Sequence, residues 1–145
     1  TFAGELLSIE ACLKTIEVLE RDNVIAKLEK LGCFLKKELN KQIIQQGLSN
    51  EIVFEGNNWW PRLNIKKTKI DKSIFSSLLR QEIIASGLFL GASLNLCLSH
   101  NKEKIKKDTI KSFKLAIDSF NEKKSSRNPL KYLRGNNIEA VFKVR

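Results

Sequence analysis

Histidine occurs once in the 145 residues, methionine not at all, and cysteine three times without a close pair. Each scarcity closes a route to chemistry. His100 is the only imidazole and sits among helix-cap residue types, so no Ser-His-Asp arrangement can be assembled around it. It is read as support for a turn rather than as a proton carrier. Cys12, Cys33 and Cys97 lie far apart, are odd in number and include no Cys-x-x-Cys. Neither a disulfide framework nor a four-ligand zinc site is therefore expected, and no metal. The three are read as buried free thiols in a reducing cytoplasm. Gly-x-Gly-x-x-Gly and Walker-type phosphate loops are absent. No carboxylate pair projects from adjacent strand ends for acid–base work. No apolar run approaches the roughly 18 residues of a membrane span, and nothing reads as a signal peptide. No catalytic residue is assigned within the chain.

What is present suffices for a core. The length fits one domain under a prior of roughly 100–200 residues, and hydrophobic residues make up 42% of the chain. Lysine and arginine outnumber the acids by 26 to 16, a net charge of +10. Such an excess raises a stand-alone basic module for nucleic acid or another anionic partner as an alternative. Yet the lysines are spread along helices, and the densest cluster, residues 102–108, interleaves Glu103 and Asp108 as a solvated helix face does. A nucleic-acid partner is therefore not expected.

Hydrophobic spacing predicts the elements. Leu6, Ile9, Leu13 and Ile16 step by threes and fours through a helix over residues 4–21. With no methionine ahead of it and a helix entered within a few residues of Thr1, the chain is expected to be the C-terminal part of a longer protein. Asn23 reads as the N-cap of a second helix, residues 24–46, with Ile25, Leu28, Leu31, Leu35, Leu39 and Ile43 on one face. Gly47 stops it. Gly32 lies inside that helix, where it costs about 1 kcal/mol relative to alanine, a loss that close approach of a neighbouring backbone would offset.

Residues 51–55 and 61–66 read as a hairpin about a turn at Gly56-Asn57-Asn58, with Pro61 at the start of its strand. Trp59 and Trp60 beside it form either a ligand platform or a contact for a neighbouring domain. A third helix runs over residues 74–86, opened by Asp71 or Lys72-Ser73 and closed by Gly87. Leu94, Leu96 and Leu98 alternate with Asn95 and Cys97 as a strand. Asn101 reads as the cap of a fourth helix to about residue 121. A polar linker over 123–129 leads to a closing strand or arm over 138–145.

The fold class is α+β: a two-layer domain with helices on one face of a small antiparallel or mixed sheet, preceded by a long connecting helix. The expected divisions are a connecting helix over 1–22, a small domain over 23–121 and a tail over 122–145.

The run from Thr1 to Ala11, followed by Thr15 to Leu19, resembles the C-terminal region of class III pyridoxal-phosphate-dependent aminotransferases, in particular glutamate-1-semialdehyde aminomutase-like enzymes. The similarity continues through Leu28-x-x-Leu31-Gly32-x-x-Leu35 and Ile83-Ile84-Ala85-Ser86-Gly87-Leu88. It ends near Ser99-His100-Asn101-Lys102-Glu103-Lys104-Ile105, covering about residues 1–121.

The resemblance implies a fragment of a fold-type I enzyme that transfers an amino group to or from a small amino, keto or semialdehyde substrate, as transaminase or aminomutase. The enzyme would be a homodimer holding pyridoxal 5'-phosphate mainly through a preceding large domain, which would also carry the Schiff-base lysine. It further implies that Thr1 contacts the cofactor phosphate across the dimer, where a hydroxyl and N–H groups near a helix start suit a dianion. Two departures stand out. Glu5-Leu6 replaces the Asn-Pro of many members. The run from Leu94 to Ser99 also lacks the arginine with which omega-amino-acid members hold a carboxylate. Asn95, facing away from the leucines, is the nearest candidate for a substrate contact.

Overall fold

Two of the helices begin at side-chain caps and two are followed by left-handed glycines. The computed structural model, which describes residues 4–138, has four α-helices and one hairpin. Helix α1 spans Leu6–Arg21 and α2 spans Val24–Gln45. Strands β1 (Ile52–Glu55) and β2 (Arg62–Ile65) pair antiparallel, with Phe54 opposite Leu63. Helix α3 spans Lys72–Ala85, a 3-10 turn covers Leu98–Asn101, and α4 spans Glu103–Lys124. The architecture is α+β. None of the described helices is long and apolar enough to cross a membrane.

The Asp71 carboxylate accepts the Ser73 and Ile74 amides and so starts α3. Gly47 and Gly87 follow α2 and α3 at φ +69° and +89°, the left-handed region that ends a helix cheaply only with glycine. Asn23 holds the N-cap position of α2 as expected, but not with the usual cap geometry. It is itself left-handed, at φ 47°, and makes no side-chain cap bond. Its short polar side chain tolerates that conformation, so it forms the bend between α1 and α2.

The core lies between α2, α3, α4 and the hairpin. Leu39 and Ile43 of α2, Phe54 of β1, Phe75 and Leu78 of α3 and Phe113 and Phe120 of α4 are all buried. Phe54 meets Phe113 edge-on at 5.5 Å and Phe75 meets Phe120 at 4.8 Å. The apolar seam of α2 starts at Val24, not at Ile25, which is exposed. Helix α1 buries no residue at all.

Residues 94–98 do not form the expected strand. An isolated bridge joins Ser93 to Arg62, with Leu63 N–H donating to Ala92 O and Leu94 N–H to Pro61 O. Beyond it the segment stays extended and unpaired. The burial alternates as expected, Leu94, Leu96 and Leu98 half-buried and Asn95 and Cys97 exposed, because an extended chain has period two with or without a partner. The sheet is thus a two-stranded antiparallel hairpin. Nor does Asn101 cap α4. His100 Nδ1 accepts the Cys97 N–H at 3.1 Å, and this local loop draws Asn101 into the 3-10 turn.

The linker expected at 123–129 begins later, because Lys123 and Lys124 end α4 in ion pairs with Glu82 and Glu51. The chain after α4 is laid along α3. Ser73, Ser77 and Gln81, spaced four apart on that helix, bond the backbone of Tyr132, Arg134 and Ile138. The arm expected beyond residue 138 lies outside the described residues.

Candidate functional site

A cleft of about 500 Å³ opens between α2, the segment after α3 and the first half of α4. Leu35, Leu88, Leu96 and Ile105 form its apolar walls, and Asn95, His100 and Asp108 contribute polar groups. Apolar walls with a few convergent polar groups are the usual make-up of a small-molecule site.

Asn95 stands in the lining of this cleft and is fixed from outside it. Its Oδ1 accepts the Trp60 indole N–H at 3.0 Å and the Ser93 hydroxyl at 3.2 Å. An indole nitrogen can only donate, so the oxygen of the amide must face Trp60. The Nδ2 of Asn95 has no hydrogen bond among the described residues and remains a donor for a ligand. Trp60 is held in turn by its Asn57 carbonyl bond, and the Arg62 guanidinium lies 5.8 Å from its ring centroid. Trp59 and Trp60 stay 46% and 44% exposed, leaving much of the pair open to a ligand or a neighbouring surface. The residue pattern showed Asn95 and the tryptophans separately; their contact spans 35 positions and has no local signal.

His100 supports the turn as expected. Its Nδ1 is occupied by the Cys97 amide, and Cys97 Sγ lies 3.6 Å from the same atom. Cys12, Cys33 and Cys97 are free, but all three are exposed, which corrects the expectation of burial. Cys12 lies on α1, whose whole face is open. Cys33 and Cys97 each come directly after a residue that packs inward, Gly32 and Leu96. Among the described residues no group of three His, Cys, Asp or Glu side chains could hold a metal.

Thr1 lies outside the described residues. The helix start beyond it is already engaged: Glu5 Oε1 accepts the Leu7 amide at 3.0 Å and Oε2 the Ser8 amide at 2.7 Å. The Ser8 hydroxyl, then its amide and that of Leu7, hold the Glu5 carboxyl below the usual carboxylate range. The N–H groups expected to serve a phosphate are thus taken by a carboxylate of the chain itself.

Two carboxylates are buried among the described residues, Glu51 at 9% exposure and, more deeply, Glu82. Glu82 on α3 is 4% exposed and accepts Lys123 Nζ at 2.6 Å, Ser119 Oγ at 2.8 Å and Gln81 Nε2 at 2.8 Å. Burial pushes its carboxyl up, but the Lys123, Gln81 and Ser119 hydrogen bonds outweigh that and hold it below its ordinary value. The group binds α3 to α4 and touches neither the cleft nor Asn95. A depressed folded pKa stabilises above the unfolded value of about 4.3 and is lost as pH falls through the folded value. Glu82→Gln should therefore cost about 2 kcal/mol at neutral pH, less than the 3–5 kcal/mol of a fully buried broken pair because Lys123 reaches water. The difference from wild type should shrink below about pH 4. Urea melts at pH 7 and pH 3.5 check both; a constant difference would mean that the ionised form contributes nothing.

Compared with known proteins, the chain matches no family model, no curated protein and no solved structure.

Proposed function

We propose that the chain is the C-terminal small domain, with its connecting helix, of a class III pyridoxal-phosphate-dependent aminotransferase or 2,1-aminomutase acting on a small amino, keto or semialdehyde substrate. The observation that supports this most is α1. It is amphipathic, yet Leu6 and Leu7 are 81% and 76% exposed and Ile9, Leu13 and Ile16 about half exposed. An apolar face of that size on a helix outside its own core needs a cover. A preceding large domain, or the second subunit of a homodimer, provides one.

In this reading the small domain closes one side of the substrate site. Asn95, its oxygen held by Trp60, turns its amide nitrogen toward a substrate oxygen and helps set the orientation of the reacting carbon. The half-buried leucines around it exclude water. Pyridoxal phosphate, when bound, supplies the electron sink for proton removal beside the amine. At the start of α1 the Leu7 and Ser8 amides are taken by the Glu5 carboxylate. In keeping with the resemblance, the cofactor is held mainly by the large domain, and this chain contributes the Thr1 hydroxyl.

A hydrogen bond to a charged group contributes about 1.5–3 kcal/mol. Thr1→Ala in the full-length protein should thus raise the dissociation constant of pyridoxal phosphate by about tenfold or more, and leave the cofactor-free melting curve unchanged. Cofactor dissociation measured beside those melts is the check. Unchanged affinity would reduce Thr1 to a residue ahead of a helix and remove the phosphate contact from the reading.

A further inference from the structure

The two outer edges of the hairpin are treated differently. On β1 the outward groups are answered from within the chain. Ile52 N–H donates to Leu48 O, and Asn40 of α2 exchanges two 2.8 Å bonds with the N–H and carbonyl of Phe54. On β2 the register turns Leu63 and Ile65 away from β1, since Lys66 bonds Glu51 and the bonded pairs alternate. Leu63 N–H finds Ala92 O. The Leu63 carbonyl and both backbone groups of Ile65 have no hydrogen bond among the described residues. A free strand edge is a template for another strand.

Beside that edge runs an open groove of about 470 Å³, floored by Leu63, Ile65 and Ile138 and walled on the α3 side by Lys72, Ser76 and Arg80. Neither Lys72 nor Arg80 forms an ion pair among the described residues. The surroundings are more basic still. Residues 61–80 carry Arg62, Lys66, Lys67, Lys69, Lys72 and Arg80 against the single acid Asp71, half the chain's net charge of +10. Asp71 is committed to capping α3. Among the described residues no aromatic side chain lines the groove, so they offer no platform on which bases would stack.

From the free edge, the apolar floor and the unpaired cations we infer that this groove binds an extended acidic peptide segment of a partner protein, which adds as a third strand to β2. Its backbone would bond Ile65 and the Leu63 carbonyl. Side chains pointing to the floor would be apolar, and those facing Lys72 and Arg80 would be acidic. The inference is independent of the enzyme assignment.

The probe is a fluorescent, end-capped octapeptide alternating valine and glutamate, followed by anisotropy at physiological salt. The expected result is saturable binding that weakens at least tenfold for Lys72→Glu/Arg80→Glu and is lost when alternate peptide nitrogens are methylated. Both substitutions lie on exposed positions of α3, and the far-ultraviolet spectrum of the variant verifies its fold. Equal binding of the valine–lysine counterpart, or of the methylated peptide, would overturn the proposal. So would tighter binding of a thymidine 12-mer that the double variant abolishes, which would make the surface a nucleic-acid site. Binding seen only after residues 139–145 are removed would assign the groove to the chain's own end and equally refute a partner.

Discussion

Gly32→Ala should destabilise the protein by about 3 kcal/mol, although alanine is the best helix former and gains about 1 kcal/mol in a helix interior. A Cβ at position 32 would sit 1.5 Å from the Asn58 carbonyl oxygen and 3.0 Å from Leu96 Cδ1. The obstacle is backbone, not the end of a flexible side chain. The hairpin turn cannot swing away freely, because Lys36 Nζ holds the Gly56 carbonyl at 2.9 Å and Trp60 is tied to Asn95. The midpoint of urea unfolding should fall accordingly, and the Trp60 emission should shift as the turn is displaced. A gain in stability would show that α2 and the turn are not in contact. The glycine is thus the point at which α2, the hairpin and the wall of the cleft are brought together.

Phe120→Ala is expected to cost about 3–5 kcal/mol, the range for removing a buried aromatic ring. Phe120 has no exposed surface and meets Phe75 across the α3–α4 contact. Its loss removes apolar burial and leaves a cavity at the contact between α3 and α4. Phe89, by contrast, is 97% exposed. Phe89→Ala should change stability by no more than about 0.5 kcal/mol. Calorimetric melts of the two variants give the comparison directly. A similar loss for both would mean that the Phe89 ring itself packs into the core.

The helices were legible because their apolar residues recur at threes and fours and because Gly47 and Gly87 stop α2 and α3. The close approach to Gly32 was also legible, from the cost of a glycine inside a strong helix pattern, although the pattern could not name Asn58 as the neighbour. The run from Leu94 to Leu98 shows where this kind of reading ends. Alternation reports an extended chain with one buried side, and pairing needs a second edge that the pattern does not encode. Asn23 stands at the N-cap position of α2 as its residue type suggests, but without a side-chain cap bond, since the residue type that caps a helix also tolerates the left-handed bend between two helices. Exposure of the three thiols could not be read either: cysteine behaves as a small hydrophobe, and its burial depends on which helix face finds a partner. For the candidate site, Asn95 was visible as the polar side of an alternating run. Its fixation by Trp60 is long-range and was not visible.

The central claim is that this chain serves a pyridoxal-phosphate enzyme without supplying the lysine that bonds the cofactor. Borohydride reduction of the full-length protein, with mass mapping of the labelled lysine, tests it most directly. The account predicts one pyridoxyl group per subunit, on a lysine outside residues 1–145, and none on the lysines of this chain. A stoichiometric label on any lysine within residues 1–145, or a full-length protein that takes up no pyridoxal phosphate at all, would contradict it.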